Sequence, residues 1–104
     1  MTIEEQRRKL HEELCEILGS RRVYYDPPNG TELEYPVILY ERSRNRPFWA
    51  NDGLYLNMTA YTVTLIRQDD DDDHLDKLLR RKYTSFDRSF VASNLHHDVV
   101  TTFV

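Results

Sequence analysis

The chain has one cysteine in 104 residues, so no internal disulfide can staple it and nothing in it calls for an oxidising compartment. Glycine is almost as scarce: Gly19, Gly30 and Gly53 are the full set of 3. No G-x-G-x-x-G or Walker pattern can be assembled from them, which removes the usual backbone cradle for a phosphate. No apolar run approaches the roughly 20 residues that a membrane helix needs. The segment MTIEEQRRKLHEEL is charged and amphipathic, unlike a signal peptide. A basic surplus is missing too. Lys and Arg number 14 against 18 Asp and Glu, a net charge of −4, whereas a general nucleic-acid binder carries positive charge in excess. The expectation is a soluble, cytosolic product with no cofactor and no membrane span.

What is present argues for a folded domain. Hydrophobic residues make up 39% and aromatics 12%, with 7 Tyr, too much for wholesale disorder. The length of 104 residues suits one compact domain, 1–104, with room for a single core. A chain this short buries roughly 60–70% of the surface its unfolded form exposes. Its stability is therefore expected to be modest, and association with other subunits would add to it.

Hydrophobic spacing predicts a first helix over residues 2–18. Ile3, Leu10, Leu14, Ile17 and Leu18 fall on one stripe, and Arg7, Arg8, Glu12, Glu13 and Glu16 cover the other side. Thr2 and Glu5 fit a capping box, and Gly19 stands where a left-handed cap is expected. Arg22–Tyr25 reads as a short strand ended by Pro27-Pro28, followed by an Asn29-Gly30 turn. Tyr35–Arg42 reads as a central strand, apolar on both faces from Val37 to Tyr40. Ser43–Gly53 is a long loop, and Leu54–Gln68 a long strand or bent pair with a bulge near Asn57–Ala60. An acidic run, Asp69–Asp73, leads into a short helix with Leu75, Leu78 and Leu79 on one face and Arg80, Arg81 and Lys82 at its end. Tyr83–Ser93 and Val99–Val104 are the last two strands, with Phe86, Phe90 and Ala92 on one parity and a turn at Asn94–Asp98. The fold class is α+β: a mixed, mostly antiparallel sheet with two helices packed on one face, in the order α-β-β-β-α-β-β.

Few residues in this pattern point to chemistry. Cys15 and His11 are four apart on one helix and could meet, but no oxyanion hole accompanies them, and a packing role for Cys15 is preferred. The DDDDDH run lacks the alternating ligands, the Gly and the Glu of an EF-hand, and consecutive carboxylates diverge. It reads as a solvated loop. His96 and His97, being adjacent, face opposite sides of an extended segment and make a poor zinc pair. No spacing singles out a carboxylate pair for glycosidase-type chemistry. The stretch 42–49 interleaves Arg42, Arg44 and Arg46 with Phe48 and Trp49, close to Tyr40. Such a loop could stack bases and neutralise phosphates, or it could serve a protein contact, where Arg, Trp and Tyr are also enriched. The acidic total favours the protein contact.

Taken in order, the segments resemble a known family. A helix is followed by Tyr24-Tyr25-Asp26-Pro27-Pro28, then Tyr35-Pro36-Val37-Ile38-Leu39-Tyr40, then a loop with Ala50-Asn51-Asp52. Next come Tyr61-Thr62-Val63, an acidic break, a short helix, Ser85-Phe86-Asp87-Arg88, and Asn94-Leu95-His96-His97-Asp98-Val99. Over nearly the whole chain this layout resembles the tail terminator, or tail-completion, proteins of long-tailed bacteriophages. The resemblance supplies no active-site residue. It implies a non-enzymatic virion protein, made in the host cytoplasm, that forms a ring with itself, a hexamer by that likeness. The ring would dock on the tail tube protein, stop tube growth and meet a head-completion or connector protein. A head–tail joining subunit of the neck is the neighbouring alternative, and a nucleic-acid-binding module using loop 42–49 is the alternative of another class.

In the ring reading, Arg44, Arg46, Phe48 and Trp49 are the expected subunit or partner contacts. The run Asp69, Asp70, Asp71, Asp72 and Asp73 is the expected lumen or rim segment, where acid repels phosphate and lets DNA pass without specific binding. That run is denser than the polar break this family layout leads one to expect, which suggests a local role for it.

Overall fold

A computed structural model of the chain describes residues 2–43, 59–69 and 73–104. The expected loop with Arg44, Arg46, Phe48 and Trp49, the first half of the long strand expected from Leu54, and Asp70–Asp72 lie outside the described residues.

The first helix, α1, spans Ile3–Leu18. The Thr2 hydroxyl accepts from the Glu5 backbone N–H and donates to the Glu5 carboxylate. The Glu5 side chain thus reaches the Thr2 hydroxyl, where a full capping box would use the backbone N–H. Gly19 ends α1 at φ 74°, its N–H returning to the Cys15 carbonyl. Leu10, Leu14, Cys15 and Leu18 form the buried stripe, but Ile3 at the start of the helix is exposed.

The chain then enters a five-stranded sheet of order β1-β2-β3-β5-β4. Strand β1 is Val23–Tyr25 and pairs parallel with β2, Val37–Arg42. Strand β3, Ala60–Arg67, β4, Thr84–Ala92, and β5, Leu95–Phe103, complete it with antiparallel ladders. A second helix, α2, spans Asp73–Leu79 between β3 and β4. The α+β expectation and the element order α-β-β-β-α-β-β therefore hold.

Both helices lie on one face. Leu10, Leu14 and Leu18 of α1 and Leu78 of α2 share a single core with Ile38, Tyr40, Tyr61, Val63, Leu65 and Val100. The period of 2 expected for Tyr61, Val63 and Leu65 is what directs them to that face. Their partners across the ladder, Tyr40 with Val63 and Val63 with Val100, point the same way. On the opposite face Val37, Ile66 and Val99 are also buried, so the central strands are apolar on both sides, as their sequence indicates. Arg81 ties the layers together: it donates to Glu13 of α1 at 2.7 Å and to Thr102 of β5 at 2.8 Å.

Two expectations are corrected at the final hairpin. The turn is Ser93-Asn94, with φ of 53° and 62°, and Leu95–Asp98 belong to β5. Two residues with positive φ match the right-handed twist of a hairpin, and Asn tolerates that region. A register shift between Phe86 and Arg88 then breaks the expected common parity. Phe86 pairs with Val100 on the helix face, while Phe90 pairs with His97 on the other.

Candidate functional site

Three places on this frame concentrate polar or unpartnered groups. The first lies where α1 crosses the sheet. Arg7 and His11, one helical turn apart, reach the Tyr40 hydroxyl on β2 at 2.9 and 2.7 Å. The Arg7 guanidinium donates to that oxygen, which leaves the hydroxyl proton free to serve His11 Nδ1. Glu4 holds Arg7 from the other side at 2.6 Å, and the guanidinium stacks 4.5 Å above the Tyr25 ring. Tyr25, Tyr40 and Tyr61 pack as a ring cluster with centroids 5.0–6.4 Å apart. Burial, then the positive charge of Arg7, push the His11 pKa below its ordinary value, although Glu12 pulls it back. Burial raises Tyr40 and Tyr61 above theirs. Neutral His11 and neutral tyrosines fit a packing and hydrogen-bonding role. His11 meets Tyr40, 29 residues away, rather than Cys15. The stripe sets Arg7 on the polar side of α1, and nothing local indicates that β2 brings Tyr40 to both Arg7 and His11.

The second place is a buried ion pair. Arg67 Nε of β3 meets Asp98 Oδ2 of β5 at 2.9 Å, and the Ser89 hydroxyl of β4 donates to the other Asp98 oxygen at 2.6 Å. These side chains floor a cleft of about 360 Å³ that Leu75, Phe86, Val91 and His96 help to wall. Sequence reasoning missed this group, because Arg67 and Asp98 are 31 residues apart, and Arg67 reads as a strand-end charge and Asp98 as the end of a turn.

The third is the outer strand. Strand β4 is exposed along almost all of its nine residues. Phe86, Phe90 and Val91 are 50%, 43% and 64% exposed. It is an edge of the sheet, with β5 on one side and no described strand on the other. Long edge strands with apolar side chains are docking surfaces or aggregation liabilities.

The sequence-expected acidic segment is represented by its two ends. Asp69 follows β3 and is exposed, and Asp73 opens α2, paired with Lys77 at 3.2 Å. His96 and His97 do face opposite sides, toward Arg67 and Ile66 respectively. Arg42, the described end of stretch 42–49, is exposed at the end of β2. Among the described residues no group of three or more His, Cys, Asp or Glu is arranged to hold a metal, and no helix is long and apolar enough to cross a membrane. Comparison with protein-family models, curated proteins and solved structures gave no match.

Proposed function

We propose that the chain is a structural subunit of a phage tail that closes the tail tube as a ring and forms the tail-side joint to the head connector. The observation that carries this reading is β4: a nine-residue edge strand with Phe86, Phe90 and Val91 open to solvent. A ring is built from heterologous contacts, in which one surface of a subunit meets a different surface of the next. The sheet order leaves β1 and β4 as opposite edges, which are two such surfaces on one rigid layer. The order of elements supports the same reading through the resemblance to tail terminators.

In this reading β4 joins the loop carrying Arg44, Arg46, Phe48 and Trp49 as the contact with neighbouring copies, with the tail tube protein and with the connector. Asp69–Asp73 line the lumen or rim, and DNA passes without specific binding. Electron microscopy of the purified chain mixed with isolated tail tubes tests it. The expected result is a ring at one end of each tube, and tails of abnormal length when the gene is removed. Unaltered tubes in the mixture and normal tails in the deletion would overturn it. Salt-dependent binding of free DNA would instead move the chain to the nucleic-acid class.

A further inference from the structure

We propose that in the free protein β4 pairs antiparallel with β4 of a second copy about a two-fold axis through Ser89, joining two five-stranded sheets into one. The backbone sets the geometry. An antiparallel ladder turns the N–H and C=O of every second residue outward at its edge. Ala92 and Leu95 close the two-residue turn. Counting back from that bonded pair, Arg88 and Phe90 bond inward to β5, and Ser89 and Val91 present their backbone groups outward. Ser89 opposite its own copy can exchange both N–H···O bonds across the axis.

Length and charge select a second copy as the occupant. The sheet's other edge, β1, has 3 residues, whereas β4 has 9, so a match of full length among the described edges comes only from another β4. The chain carries a net charge of −4, yet Thr84–Ala92 holds one acid, Asp87, and one base, Arg88. Two acidic copies can therefore meet along a neutral strand. In the register centred on Ser89, Arg88 of each copy faces Phe90 of the other, a favourable cation–π pairing. Val91 and Phe86, 64% and 50% exposed on the helix side of the strand, lose water in the joint. The area involved is small, so the pair is weak, in the class below about 1,200 Å² that gives transient contacts. A ring contact through β4 would then require this pair to open, which would confine ring closure to the tail end.

Sedimentation velocity on the full chain is the test. The mass is expected to rise from 12.5 kDa toward twice that value between about 1 µM and a few hundred µM, as dissociation in that range implies. Phe90→Lys sets an ammonium against Arg88 of the second copy and should weaken the pair about tenfold or more. Phe90→Glu sets a carboxylate there and should hold or tighten it. Position 90 is 43% exposed, so both variants should fold, as checked by circular dichroism. A mass of 12.5 kDa throughout, or Phe90→Glu weakening the pair as much as Phe90→Lys, overturns the proposal. Binding to tail tubes is scored separately. A monomer that binds tubes defeats this inference alone, and a dimer that never binds tubes defeats the proposed function alone.

Discussion

Replacing Asp98 by Asn should destabilise the fold more than any comparable surface change. Asp98 and Arg67 are 2% and 5% exposed, and the Ser89 hydroxyl also donates to Asp98. The substitution keeps the shape but removes the negative charge beside a buried guanidinium, and it replaces one of the two accepting oxygens with an NH2 that cannot accept from Arg67 or Ser89. Removing one partner of a buried pair costs about 3–5 kcal/mol. The adjoining cleft of about 360 Å³ can admit water beside the guanidinium, so the lower end applies here, about 3 kcal/mol. A small domain has about 5–15 kcal/mol in all, and a loss of about 3 kcal/mol lowers the melting temperature by about 12–24 °C. Urea unfolding followed by circular dichroism measures it, read as a fall in midpoint at unchanged slope. The double variant Arg67→Met/Asp98→Leu should recover most of the loss, because apolar replacement of a whole pair is close to neutral. The reasoning is refuted if Asp98→Asn costs less than about 1 kcal/mol, or if the double variant is as unstable as the single.

Other outcomes follow from the same contacts. Tyr40→Phe removes the oxygen that Arg7 and His11 share and should cost about 1–2 kcal/mol in the same assay. His11 has a folded-state pKa below its unfolded value of 6.5, so its contribution is fully present above that value and is lost as pH falls through the lowered one. The urea midpoint should therefore drop from about pH 7 to about pH 5, and His11→Gln should remove that part of the drop. Gly19→Ala should cost about 1 kcal/mol by urea unfolding, because φ is 74° while a Cβ there meets nothing within 4 Å. A loss well above that would mean that space, and not backbone conformation, governs the position.

The legible parts of this fold are those set by local chemistry. The α1 stripe, the Thr2 and Gly19 ends and the alternation of Tyr61, Val63 and Leu65 each depend on residues within a few positions of one another. The hairpin was half legible: Asn94 marked a turn, but the apolar weight of Val99 onward hid the fact that Leu95–Asp98 continue the strand. Its bulge at Asp87 carries no Gly and no Pro, so nothing in composition announced that Phe86 and Phe90 would part company. The polar groups were the least legible. Arg67 with Asp98, and Tyr40 with Arg7 and His11, are pairs that only register creates, since a one-residue slip would send every member to the other face.

Strand β4 shows why the outer edge deserves a different account from the core. Its place is fixed by the β5 ladder and by two polar side-chain bonds, Ser89 to Asp98 and Thr84 to Thr102 at 2.7 Å. Burial contributes little, for none of its side chains belongs to the core. Phe86, Phe90 and Val91 are thus apolar groups that folding of the single chain leaves in water. Isolated exposed hydrophobics are ordinary on any surface. Three within six residues, on a strand whose outer backbone groups also lack a described partner, combine the two features that strand addition uses: main-chain bonds for affinity and alternating side chains for selectivity. The polar bonds that hold β4 to β5 do not depend on those three side chains, so the edge can exchange one partner for another without disturbing the body of the sheet.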